Sequence, residues 1–242
     1  MLAIQAATVV AVTALLSLGH QVYSFLPSPI SVLWSGIDLL SNKSFYGHLG
    51  VTFYESLSGL LIAAVMGIAI GVSAGASRGA TEFLTPIILA IYSVPKIVFL
   101  PVLLIVFGTG IPPKIANAAL HALFPILLNS LVGMREVNPF HMKVAQSMLA
   151  SRFHVVSKVI LPSMVLPVFA GVKLGLGLSI MGALLAELFE ARAGVGYLVT
   201  QYYSKGNISE MIAIVVVVFM LILIINAVMQ QIESHLSRWR SP

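Results

Sequence analysis

Residues 143–162 read KVAQSMLASRFHVVSKVILP. Lys143, Arg152, His154 and Lys158 crowd into this stretch, although only 9% of the chain is charged. Val144, Met148, Val155 and Val159 recur within it at spacings of four, seven and four, the stripe of one helical face. Ser151 is placed to cap the second part of that helix, its hydroxyl accepting from the backbone N–H of residue 153 or 154. Pro162 is expected to end the pattern. The stretch therefore predicts a projecting helical element with an apolar face and nothing of its own to bury it against. Its residues leave two partners open, anionic lipid held by the basic side chains or a second protein.

The surroundings decide what it projects from. The chain has 242 residues, 59% of them hydrophobic, and a mean hydropathy of +1.02. A water-facing surface needs roughly 25% charged residues, so this composition belongs to an integral membrane protein. The chain has no cysteine, which excludes disulfides and thiolate metal sites. About 20 apolar residues span a bilayer. Residues 56–77, 115–134 and 211–229 meet that length without a charge. Residues 83–109 and 164–186 meet it with one lysine each, Lys96 and Lys173. Residues 2–19 lack the basic n-region of a signal peptide and read as a first span. The expectation is an all-α membrane protein of about six spans, in one domain over residues 1–242.

Loop charges orient it. With both termini cytoplasmic, the inner segments hold Arg78, Arg135, Lys143, Arg152, Lys158, Arg238 and Arg240. The outer ones hold Lys43, Lys114, Arg192 and Lys205, so the balance favours that arrangement. Asp38, Glu55, Glu187, Glu190 and Glu210 fall outside. On that outer side Ile30, Leu33, Trp34, Ile37 and Leu40 mark the apolar face of a short interfacial helix, with Trp34, Phe45 and Tyr46 at headgroup level.

Within the spans, Gly67, Gly71 and Gly75 form one small-residue face, and Gly171, Gly175 and Ser179 another. Such faces let helices approach closely, either within one chain or at a dimer seam or substrate passage. Pro86, Pro95 and Pro101 predict a kinked third span. Lys96 and Lys173 are placed near mid-bilayer by their distance into the spans. There they either line a wet cavity that favours an anion or bond to freed carbonyls and hold helices in register. Glu187 lies near the outer end of the fifth span, and Gly194 and Gly196 predict a tight non-helical turn after it. All three are solute-pathway candidates. His121 reads as a neutral, packed histidine.

The opening stretch resembles the EAA loop of permease subunits of ATP-binding-cassette importers, E-A-A-x3-G-x9-I-x-L-P. Ala145, Val159, Leu161 and Pro162 match in place. The likeness covers nearly the whole chain. LPSPISVLW, VPKIVFLPVLLIVFGTG, LFPILLNSLVGMREV and LLAELFEARAGVGYLV resemble, in order, segments of the nitrate/sulfonate/taurine branch. The resemblance implies the type I importer permease fold, with the loop 135–162 acting as a coupling helix on a cytosolic ATPase and residues 187–209 dipping back toward the solute path. It implies Lys143, Ala145, Met148, Leu149, Ala150, Ser151, Arg152 and Pro162 as the coupling residues. Its partners would be a second permease chain (a homodimer foremost), two ATPase subunits that bind ATP-Mg, a periplasmic or lipid-anchored solute-binding protein, and the lipid of a bacterial inner membrane. No cofactor is expected in this chain, and no nucleic-acid partner. Two positions depart from the pattern. Lys143 stands for the family's glutamate and Leu149 for its glycine, and leucine disfavours the positive φ that glycine permits, so the turn is expected to be reshaped or replaced by continued helix.

Other classes fare worse. The chain has no GxxxxGK[ST] phosphate loop of its own, and no HExxH or GxSxG. A secondary transporter would need acidic residues in its spans, which offer almost none. A non-transporting scaffold on the same fold is the alternative that Lys143 and Leu149 keep open.

Overall fold

The computed structural model describes residues 27–189 and 192–237, so the first predicted span lies outside the described residues. Every regular element among the described residues is helical. They fall into two compact units, the described residues up to Phe53 with those of Leu184–Ala227, and Tyr54–Ala183 with the described residues from Val228 onward.

In the first unit, α1 (Pro29–Ser41) begins at Ser28, whose Oγ accepts from the Ser31 amide at 3.2 Å, and Pro29 occupies the first turn where its missing N–H costs nothing. Val32 and Leu39 turn inward. Ile30, Leu33, Trp34, Ile37 and Leu40 are exposed together, as their spacing predicts. Phe45 corrects the expectation of an interfacial ring, because it is buried with Val195, Leu198, Ala213 and Ile214. Tyr46 alone of that pair is exposed, its hydroxyl donating to the Leu40 carbonyl at 2.8 Å.

The second unit is built around the longest stretch of buried residues, on α5 (Ile111–Arg135). α2 (Lys43–Gly75) packs its glycine face there: a Cβ on Gly71 would lie 2.5 Å from the Leu127 carbonyl, and one on Gly75 2.7 Å from the Met134 Cβ. From the other side α8 (Leu161–Phe189) does the same, with Gly171 against Asn129 and Gly175 against Ile126. Both stripes are therefore occupied by packing within this chain, helix backbone to helix backbone.

The third predicted span is broken rather than kinked. α3 (Arg78–Ser93) and α4 (Leu100–Phe107), linked by a 3-10 turn at Lys96–Phe99, meet at 80°. Pro95 forces Val94 into extended backbone, at φ −71° and ψ 129°, and stops α3. Glycines at φ +74° (Gly108) and +111° (Gly110) then turn the chain into α5.

The opening stretch differs from one continuous helix. α6 (Pro139–Ser147) stops, a four-residue turn follows, and α7 (Arg152–Val155) begins, so Val144 and Val155 lie on separate helices. α7 runs through a π-helical turn, Val156–Ile160, directly into α8. Pro162 thus sits in the first turn of α8 instead of ending a helix. A proline ring would meet the carbonyl four residues back in a regular α-helix, and the wider π turn just before it accommodates that clash. α9 (Val195–Ser204) and α10 (Ile208–Ser237) complete the order. Four helical stretches, Lys43–Gly75, Ile111–Arg135, Arg152–Phe189 and Ile208–Ser237, are long and apolar enough to cross a membrane, and the bent pair would make a fifth.

Candidate functional site

The turn between α6 and α7 is a closed helix cap. The amide of Ala150 donates to the carbonyl of Ala145 at 3.0 Å, and that of Leu149 to the carbonyl of Gln146 at 3.0 Å. These are the two bonds of a Schellman motif, which requires a left-handed residue between them. That residue is Leu149, at φ +52°, the one non-glycine residue with positive φ among those described. The expected reshaping of the turn is thereby corrected. The glycine-type geometry is kept, and leucine adopts it at a steric cost of about 1–2 kcal/mol. Ser151 accepts from the His154 amide at 3.4 Å and starts α7, as its position predicts. Met148, Leu149 and Phe153 are 76%, 92% and 78% exposed, and Lys143 and Arg152 are exposed beside them.

The predicted outer residues come together around one carboxylate. Glu187 is 1% exposed. Its Oε1 accepts from the Thr52 hydroxyl at 2.7 Å and its Oε2 from the Gly196 amide at 2.7 Å. The Val195 amide donates to Thr52 Oγ1 at 2.9 Å, and the Gly194 amide to His48 Nδ1 at 3.2 Å. Three successive N–H groups at the start of α9 are thus satisfied by side chains, and the carboxylate lies where the helix dipole favours negative charge. Gly194 holds φ +111°, and a Cβ there would stand 2.1 Å from Glu187 Oε1. On Gly196 a Cβ would stand 2.6 Å from the Leu184 carbonyl. Because Nδ1 of His48 accepts, its proton resides on Nε2.

Both span lysines are engaged. Lys96 Nζ donates to the Tyr92 carbonyl, left without its helical partner by the break at Pro95, and lies 4.3 Å and 5.1 Å from the ring centroids of Tyr92 and Phe124. Lys173 pairs with Glu233 at 2.7 Å. Glu233 lies just past the apolar run that ends at residue 229, and the continuous helix around Lys173 is 38 residues long, about 57 Å against a bilayer core of about 30 Å. The pair gives Lys173 a carboxylate partner on a neighbouring helix, the register-holding role open to it from the sequence.

Sequence reading missed a buried ion pair. Lys114 and Glu55, counted above as outer charges, meet at 2.9 Å with side chains 5% and 0% exposed. It also missed His48 and Thr52, which no spacing links to Glu187. Asn117, fully buried, donates from Nδ2 to the Gly182 carbonyl at 2.7 Å, and its main-chain carbonyl lies 2.8 Å from Nδ1 of the buried His121. No group of three or more His, Cys, Asp or Glu side chains suited to a metal occurs among the described residues.

Four apolar helices of membrane-spanning length, with a bent pair that would make a fifth, define a multi-pass membrane protein. The chain belongs to the family of binding-protein-dependent transport system inner membrane components, which matches residues 60–241. It is 27% identical over 216 residues to a putative aliphatic sulfonates transport permease protein, SsuC, of Bacillus subtilis (strain 168), covering 89% of this chain and 78% of that one. It is 29% identical over 216 residues to the nitrate import permease protein NrtB of Leptolyngbya laminosa, covering 86% and 77%. The fold matches a chain of the MetNI methionine ABC transporter in an inward-facing conformation, with a TM-score of 0.68 at 19% identity over 78% of this chain and 94% of that one. This is the type I importer permease fold.

Proposed function

We propose that this chain is the membrane-spanning subunit of an ABC importer that takes up a small anionic solute, with its energy supplied by a separate ATPase. The observation that carries the reading is the exposed turn at Met148–Leu149, held between two capped helices in the loop that matches the EAA pattern. A rigid, apolar projection on an otherwise membrane-embedded chain is suited to transmit a push from a soluble partner. ATP-Mg would be held by that partner, and this chain would contribute no catalysis. Nucleotide shifts the spans between inward-open and outward-open states only insofar as it binds one arrangement more tightly.

Both termini lie on the cytoplasmic side in this reading, together with the loop 135–162, and a second permease chain completes the solute path. The anionic solute is supported by the relatives that carry sulfonates and nitrate, rather than by Lys96 and Lys173, whose charges are already engaged. Glu187, Gly194 and Gly196 act by fixing the start of α9, where the chain re-enters beside the path.

The test is uptake into proteoliposomes that contain this chain, its ATPase and its solute-binding protein. Sulfonate or nitrate accumulation that requires ATP on the ATPase side and the binding protein on the other is expected. Accumulation driven by an ion gradient without ATP would overturn the reading.

A further inference from the structure

We propose that Leu149 is a docking knob that selects the ATPase. Met148, Leu149 and Phe153 enter an apolar socket on that subunit, and the socket is rimmed by carboxylates. This rests on the reading of the loop as the coupling segment, and adds the chemistry of the surface it fits.

Three observations carry it. The first is backbone conformation. The cap between α6 and α7 is made by main-chain bonds that any residue can form, and its left-handed position suits glycine. Leucine there is strained, and at 92% exposure its side chain gains no packing within the chain that offsets the strain. A contact outside the described chain is what gives the side chain a use.

The second is clustering. Met148 and Phe153 are exposed on either side of Leu149, whereas isolated exposed leucines are ordinary on protein surfaces. The third is charge. No Asp or Glu occurs between Glu136 and Glu187, while His141, Lys143, Arg152, His154 and Lys158 are all exposed in the same loop. The complementary surface is therefore acidic at its rim and apolar at its centre. An anionic lipid surface would match the charge, but lipid takes up apolar side chains from any unstrained helix. A fixed left-handed turn that aims one side chain matters to a shaped protein surface.

The experiment measures ATPase binding to the full chain in lipid nanodiscs, with thermal stability followed in parallel. Leu149→Gly is the informative variant, because it relieves the backbone while removing the knob. The expected result is unchanged or raised stability with ATPase affinity weakened at least tenfold, as burial of one leucine allows. Leu149→Met should stay within a few-fold of the parent, and Leu149→Glu should bind more weakly than Leu149→Gly because it faces carboxylates. Equal or tighter binding by Leu149→Gly overturns the proposal while leaving the transporter reading intact. A folded parent chain that binds no ATPase overturns the transporter reading itself.

Because the chain has no cysteine, Leu149→Cys carrying a photoreactive thiol probe reports on a single position. Adducts to the ATPase support the knob. Adducts to lipid alone overturn it in favour of a membrane contact.

Discussion

Gly194 and Leu149 both hold left-handed backbone, at φ +111° and +52°, and they occupy opposite surroundings. Around Gly194 there is no room, since the Glu187 carboxylate fills the place of a side chain. Around Leu149 there is open space, and a large apolar side chain stands in it. Glycine at the first position is demanded by the fold. Leucine at the second is opposed by the backbone and unsupported by the fold, which directs attention to what lies outside the chain. A positive φ thus carries two meanings, and burial separates them.

Variants in the buried half should disturb the fold most. Lys114→Met leaves Glu55 charged in a buried site and should destabilise by about 3–5 kcal/mol, while Lys114→Met with Glu55→Leu should recover most of that loss. Unfolding in detergent, followed by helical circular dichroism, reads both. Gly194→Ala adds a Cβ on top of a carboxylate in a strained backbone and should cost about 3 kcal/mol, seen as a lowered melting temperature and reduced membrane yield. Glu187→Gln keeps the shape but weakens two hydrogen bonds to a charged acceptor, for a loss of about 1–3 kcal/mol on the same assay. At the exposed turn the sign reverses. Relief of left-handed strain, less the added freedom of the unfolded chain, should make Leu149→Gly more stable by up to about 1 kcal/mol. A lowered melting temperature for that variant would break the comparison.

Apolar runs are a strong signal, so four of the spans were legible from composition alone, and each helix extends past its run where polar residues still find partners. The break at Pro95 was legible only as a kink, because a proline marks where a ladder fails and not the angle at which the chain leaves. Glu187, Gly194 and Gly196 were legible as a set because they lie close in sequence. Thr52 and His48 were not, being more than a hundred residues from their partners. Lys114 and Glu55 lie at the margins of apolar runs, where an unpaired loop charge and a buried ion pair look alike. Leu149 was misjudged for a different reason. Steric preference argues against leucine at positive φ, but two backbone hydrogen bonds at the end of α6 outweigh a penalty of one or two kcal/mol.

The most direct test of the account is ATP turnover by the assembled complex with solute-loaded binding protein, comparing the parent chain with Leu149→Gly at matched amounts of folded permease. Stimulated turnover should fall severalfold at ATPase concentrations well below saturation of the parent complex, while the melting temperature of the permease holds or rises. Turnover equal to the parent's across the whole ATPase titration would contradict it, and would leave the leucine at this turn without a role in coupling.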